Sequence, residues 1–251
     1  MDLGLTDRVY VLTGASRGLG YATAECLVAD GARVVISSRD AASVDRAVAA
    51  LGPNAAGLAA DLADPDTPQR LLDTARDRFG AVHGALVSVG GPPTGTAAAA
   101  SDEQWRASFE TVFLGTVRAA RTFGAALPAG GAIGLVLSVS ARTTMPDLGI
   151  SNGLRPGLAG VAKDMADEYA PRGVRVLSLL PGRILTDRNR DLFAAAPDPA
   201  EAGRAAAAQV PLGRLGDPAE FGRVAAFLLS PAASYLTGIT VPVDGGYLRS
   251  L

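Results

Sequence analysis

The chain has 251 residues, room for one large domain or two small ones, and at 48% hydrophobic residues with a mean hydropathy of +0.23 it has the composition of a packed core rather than of a disordered segment. A formal net charge of -2 and a pI near 5.5 leave no basic footprint, so no nucleic acid partner is expected. The N-terminus, MDLGLTDRVYVLTG, has no basic n-region, and no apolar run approaches the ~20 residues of a membrane span, so the expected setting is the cytoplasm with no membrane partner.

Read in chain order, short β-branched runs at 8–14, 32–38, 54–62, 84–90, 132–140, 174–182 and 238–246 alternate with helix-length segments. The runs are apolar on both faces and bounded by Gly, Pro or Asp, as parallel strands covered by helices are. The expected fold is α/β: a doubly wound parallel sheet of about seven strands, Rossmann-type, with helices on both faces. No linker or composition shift divides it, so 1–251 reads as one nucleotide-binding domain.

The first strand runs into a helix through Gly14, Gly18 and Gly20, with Arg17 in the same turn. Glycines there let the backbone turn tightly and approach a pyrophosphate, whose charge the helix N-terminus meets. Cys26, the single cysteine, falls inside the helix that follows and reads as a small core residue. The second strand ends in Ser37, Ser38 and Arg39. An acidic residue at that tip would bind the ribose 2′-hydroxyl of NAD, whereas hydroxyls and guanidinium groups suit a 2′-phosphate. The reading is NADPH, with NAD the less favoured cofactor.

His83, before the fourth strand, reads as structural. The segment from Ser101 opens a helix with a capping box, Ser101 and Gln104. In SNGLRPG, Pro156 directly follows Arg155, and an interior proline disfavours α geometry before it. The expectation is therefore a helix starting near Pro156, with Ser151 to Arg155 in an irregular turn and not sharing a helix face. Arg142, Arg183, Arg188 and Arg190 gather where substrate loops should lie, and a carboxylate or other anionic substrate would explain Arg142 and Arg183; solvated loop charges explain them equally. The Ala-rich tract at 191–211 reads either as a linker or as a helical flap, with the substrate flap placed at 186–211.

Across nearly its whole length the sequence resembles the short-chain dehydrogenase/reductase family. TGASRGLG (13–20) is similar to that family's glycine loop and brings Ser16 and Leu19 into the cofactor set beside Gly14, Arg17, Gly18 and Gly20. By the same resemblance Asp61 and Leu62 would hold the adenine and Gly90 would lie beside the cofactor. Pro181, Gly182, Ile184 and Thr186 would meet the nicotinamide carboxamide and the phosphates, and Ser38 and Arg39 the 2′-phosphate. Four residue types carry the family's chemistry: Asn, Ser, Tyr and Lys. Ser138 matches the serine. The tyrosine position is Ser151, the lysine position Arg155, and the asparagine position, which bulges a helix, is Val112.

A serine hydroxyl stops short of a phenol's reach and is a far weaker acid, and loss of a positioned general acid costs about 10²–10⁴-fold in rate. The resemblance thus implies an NADPH-dependent oxidoreductase with a non-standard site, catalytic residues Ser138, Ser151 and Arg155, and a small-molecule substrate such as a conjugated enone or an imine. An isomerase or dehydratase on the same fold, and a cofactor-binding pseudoenzyme or sensor subunit, remain as alternatives. No metal site is read. The family's habit implies a homotetramer, or a dimer, with Gly153, Gly157 and Gly160 allowing close helix approach.

Overall fold

Strands apolar on both faces must be covered on both sides, and the chain does this by crossing over the sheet after every strand. In the computed structural model, which describes residues 2–249, β1 (Val9–Leu12), β2 (Arg33–Ser38), β3 (Ala55–Ala59), β4 (Gly84–Val87), β5 (Ala132–Val136), β6 (Arg175–Pro181) and β7 (Thr240–Val243) pair in parallel. Their order is β3-β2-β1-β4-β5-β6-β7, so the winding reverses between β1 and β4. Ligands of open α/β sheets bind at such a reversal, outside the carboxyl ends of the strands. Met1, Ser250 and Leu251, part of the expected 1–251 domain, lie outside the described residues.

Helices α1 (Gly18–Ala29), α2 (Ala41–Leu51) and α9 (Pro218–Leu229) cover one face, where Leu27, Ala47 and Phe221 pack with Tyr10, Leu12 and Ile36. Helices α3 (Thr67–Phe79), α5 (Gly115–Ala126) and α6 (Gly149–Tyr169) cover the other, where Leu71, Phe123 and Leu158 pack with Val11, Val35 and Ile133. The central strands β1, β4 and β5 are buried throughout, whereas edge strand β7 is partly open and carries Pro242, which a central strand could not accommodate. Cys26 lies where α1 meets α9, near Gly222, and burial pushes its thiol pKa up, consistent with a packing role.

The apolar runs extend beyond the paired strands. The run 84–90 pairs only to Val87 and the run 132–140 only to Val136, and the overhangs form the loops that carry Gly90 and Ser138. Helix α4 (Asp102–Ser108) opens with the expected capping box of Ser101 and Gln104. It passes into α5 through a π-helical turn, Phe109–Leu114. The tract after β6 forms α7 (Asp187–Ala194) and α8 (Pro199–Ala208) rather than a linker; α7 buries none of its residues and α8 only Ala206. Among the described residues no helix is long and apolar enough to cross a membrane.

His83 has the structural role read for it: its Nδ1 accepts from the Val9 amide at 2.9 Å, tying the loop before β4 to the start of β1. Burial, with the Arg8 charge second, holds its pKa below the ordinary histidine value. With the folded pKa lowered, the unfolded chain binds the extra proton first, so this contribution is complete above pH ~6.5 and is lost as pH falls below it. Urea unfolding between pH 7.5 and 5.5 should show stability falling on the acid side, and His83→Asn, whose side-chain oxygen can still accept, should flatten that fall.

Candidate active site

The glycine loop is shaped by close backbone approach. Gly14 sits at φ +58°, and a Cβ on it would lie 2.6 Å from the Ser88 carbonyl oxygen. A Cβ on Gly20 would lie 2.6 Å from the Gly14 carbonyl oxygen, so only glycine lets α1 start this close to β1. Arg17 is the N-cap of α1 and supplies no side-chain cap, and the first turn holds no acidic residue. The orphan amides of that turn, reached through Ser16, Gly18 and Leu19, therefore remain directed at the crevice as an anion-binding end, which fits a dinucleotide pyrophosphate. Thr186, N-cap of α7, approaches the same loop: its Cγ2 lies 3.9 Å from the position of a Cβ on Gly18.

At the tip of β2, Ser37 is 2% exposed and its carbonyl accepts from Ala15, so of the two hydroxyls expected there only that of Ser38 is accessible. Arg39 and Arg17 are both exposed beside it, and neither forms an ion pair among the described residues. Asp61 follows β3, its carboxylate accepting from Ala63 and its carbonyl from the Thr67 hydroxyl, with Leu62 buried next to it. Gly90 lies exposed after β4, and Pro181, Gly182 and buried Ile184 follow β6, with the Gly182 amide donating to Val243. The expected cofactor residues thus gather along the carboxyl edge of the sheet.

The expected irregular turn is not found. Helix α6 runs unbroken from Gly149 to Tyr169 with Pro156 inside it, so Ser151 and Arg155 do share a buried face. Tertiary anchors offset a proline penalty of about 3 kcal/mol. The Gly149 amide donates to Gly95, the Asn152 side chain both accepts from and donates to the Met145 backbone, and Leu154 and Leu158 are buried. Pro156 itself faces solvent.

Ser138 caps a short 3-10 turn, Val139–Ala141, accepting from the Ser140 amide at 3.1 Å. The hydroxyl of Ser151 is paired with that of Ser140, at 2.9 Å, and not with Ser138. Ser140 was not read as a site residue; the only signal was its alternation with Ser138 in SVS. Val112, buried in the π turn, keeps the helix bulge without an asparagine, and its carbonyl accepts from the buried Thr116 hydroxyl at 2.7 Å. The close approach of Gly153 and Gly157 is to Trp105 and Phe113 of the same chain, while a Cβ on Gly160 would meet nothing.

Arg155 is 4% exposed, its Nη1 donates to the Val136 carbonyl at 3.0 Å, and its Nε has no acceptor. Burial, reinforced by the like charge of Arg188, pulls its pKa down to about 10, so it is still a cation at pH 7. Of the other arginines, Arg142 donates to Thr240, Arg183 to Gln209, and Arg190 pairs with Asp187. Arg142 also lines an open cavity of about 560 Å³ with Gln209, Tyr247 and Arg249, between α8 and the C-terminal segment.

Against proteins of known sequence, residues 14–248 match the family model described as enoyl-(acyl carrier protein) reductase. A 3-oxoacyl-[acyl-carrier-protein] reductase of Vibrio cholerae is 35% identical over 248 residues, covering 97% of this chain and 98% of its own. Among solved structures, L-sorbose reductase from Gluconobacter frateurii, complexed with NADPH and L-sorbose, superposes with a TM-score of 0.92 at 29% identity over the full length of both chains. An NADPH-bound short-chain oxidoreductase from Pseudomonas aeruginosa PAO1, described as containing an atypical catalytic center, superposes with a TM-score of 0.91 at 31% identity over 98% of each chain.

Burial of the Arg155 cation, with the like charge of Arg188 adding to it, opposes folding. Arg155→Met removes that cost and leaves the Val136 carbonyl without its donor, a loss of about 1–3 kcal/mol. The variant is expected to be at least as stable as the parent in urea unfolding at pH 7, whereas a core residue of similar size would be costly to replace.

Proposed function

The chain belongs to the short-chain dehydrogenase/reductase family of oxidoreductases, and from that premise we propose that it is an NADPH-dependent reductase of conjugated enones or imine-like small molecules. The observation that carries the reading is the buried cluster at the ends of β5 and α6: the Ser140–Ser151 hydroxyl pair beside the buried cation of Arg155. It lies on the same sheet edge as a glycine loop with free helix amides. In this reading the site is non-standard, with Ser151 and Arg155 at the positions of the family's tyrosine and lysine. The Pseudomonas aeruginosa protein, described as containing an atypical catalytic center, supports reading a non-standard site on this fold.

Bound at the glycine loop, a reduced nicotinamide supplies a hydride. Arg17, Ser38 and Arg39 would hold the 2′-phosphate and Gly14 to Gly20 the pyrophosphate, with Asp61, Leu62, Gly90, Pro181, Gly182, Ile184 and Thr186 completing the cofactor contacts. Ser138 and the Ser140–Ser151 pair present hydroxyls to the acceptor's oxygen, and Arg155 stabilises negative charge as it develops there. For an enone, the hydride given up by the nicotinamide C–H would form the C–H bond at the β-carbon and the π pair would move onto oxygen. The enolate takes its α-proton from water, so a strong side-chain acid is not required. The helices at 186–211 form a substrate flap over this edge.

Self-association belongs to the same proposal. Phe109, 45% exposed, stacks on Phe113 at 5.1 Å, and with Gly153 and Gly157 this builds an apolar face on the π turn and α6 suited to a second copy. Light scattering should give the mass of a homotetramer or a dimer; a monomer mass overturns this part.

Fluorescence titration with NADPH and NADH side by side tests the cofactor reading. NADPH should bind more tightly by at least about ten-fold, and Arg39→Asp should reverse the preference. Failure of both nucleotides to bind would sink the redox reading. With NADPH bound, enones and imines should be turned over and the matching saturated ketones at least about 10²-fold more slowly; equal rates would point to an ordinary carbonyl reductase.

A further inference from the structure

The cavity between α8 and the C-terminal segment has no part in the chemistry above, and its walls are rich in hydrogen-bond donors. Arg142, Thr143, Gln209, Tyr247, Leu248 and Arg249 line a space of about 560 Å³, within the range of small-molecule sites. Arg142 is held by Nη2 alone, which donates to the Thr240 carbonyl at 3.3 Å, so most of its five N–H donors are left over. The side-chain oxygen of Gln209, the C-cap of α8, accepts from Arg183 Nη2 at 2.8 Å, which leaves the amide NH₂ as the free group of that side chain.

Arg183 braces this wall from behind. Its guanidinium also lies 5.9 Å from the centroid of the Tyr247 ring, so one cation positions two of the lining residues. Among the described residues no Asp or Glu lines the cavity, and neither Arg142 nor Arg183 forms an ion pair. Asp244, at the root of the C-terminal segment, spends its two carboxylate oxygens on the Gly246 and Leu248 amides, each at 2.9 Å, and so fixes the stretch that carries Tyr247. A space lined by two guanidinium groups and an amide NH₂, with no negative charge of its own, is complementary to an anion. It also adjoins the reacting end. Arg142 closes the 3-10 turn that Ser138 opens, and Ser140, the partner of Ser151, lies inside that turn.

We propose that this cavity seats a carboxylate at the far end of the substrate, held by Arg142 and Arg249, with a short apolar spacer joining it to the conjugated bond at the Ser140–Ser151 pair. This rests on the reductase reading above and adds the substrate's charge to it. The planar forks of Arg142 and Arg249 match a carboxylate, the Gln209 NH₂ adds a donor from the flap, and Tyr247 and Leu248 cover the spacer. The 3-10 turn sets the separation: three residues at a rise of about 2 Å each put Arg142 about 6 Å along the chain from Ser138, so the charge and the reducible bond are not neighbours in the substrate. Arg183 is a positioning residue in this site, acting through Gln209 and Tyr247.

The test uses (E)-7-oxooct-5-enoate and its primary amide, which share one enone skeleton and differ in charge at the far end. Calorimetric titration of the NADP-loaded protein should show the acid binding at least about ten-fold more tightly than the amide. Arg142 and Arg249 are exposed, so the double variant Arg142→Gln, Arg249→Gln should fold as the parent does, and in it the preference should fall to within about two-fold. Equal binding of acid and amide, binding of neither, or an acid preference that survives the double variant overturns the anion site. NADPH titration of the same samples, with the acid and the amide also titrated into nucleotide-free protein, keeps the two readings apart. Acid preference without NADPH binding counts against the reductase and leaves the anion site standing, whereas NADPH binding without acid preference counts against the anion site alone.

Discussion

One hydroxyl carries the pairing of the two halves of the sheet past the end of the β1–β4 ladder, at the point where function is expected. The Thr13 side chain donates to the Ser88 carbonyl at 2.7 Å and accepts from the Ser88 amide at 3.0 Å, which extends the β1–β4 pairing beyond the strands. Winding reverses at this pair, so the loops after β1 and β4 diverge to opposite faces and leave a crevice. With Ser88 fixed, Gly14 can approach it only as a glycine, and α1 must begin where its free amides face that crevice. The loop carrying Gly90 and Gly91, and through Gly91 the seat of Arg188, hangs from the same tie.

The energetics of the site run opposite to those of the core around it. Strands β1, β4 and β5 are buried and apolar, and their packing stabilises the fold. Arg155 sits at the margin of that packing as a buried cation with one unpartnered nitrogen, which costs stability. A chain folding for stability alone would place Met or Leu there. Groups held in costly environments by an otherwise well-packed scaffold are candidates for work on a ligand. The same contrast separates Arg155 from Arg175, which is also buried but satisfies its guanidinium on the carbonyls of Leu228, Ser230 and Leu236, closing the end of α9.

Much of the fold was legible in the sequence because each strand is apolar on both faces and the junctions carry Gly, Pro or a capping residue. All seven runs became strands, and their overhangs became loops. The cofactor edge was legible for a related reason: Gly14 and Gly20 mark backbone approaches that no other residue permits. The stretch from Ser151 to Arg155 was misread because propensity judges Pro156 by its local cost. What decides the matter is the Asn152–Met145 and Gly149–Gly95 bonds, whose partners are not visible as partners in the sequence. The π turn shows the same lesson: it forms with Val112 in place of an asparagine, and the Val112 carbonyl accepts from the buried Thr116 hydroxyl.

The sequence by itself determined the doubly wound sheet, the glycine loop and the types of residue available for chemistry, since hydrophobic period, turn chemistry and residue identity are local properties. Only the tertiary structure decided which of those residues meet. It paired Ser151 with Ser140, aligned Ser151 and Arg155 on one helix face, and brought Arg188 from a distant helix to the loop after β4. Those encounters depend on crossovers that bring distant segments within hydrogen-bond reach, and on burial that decides which polar groups find partners; neither is carried by the local pattern of the chain.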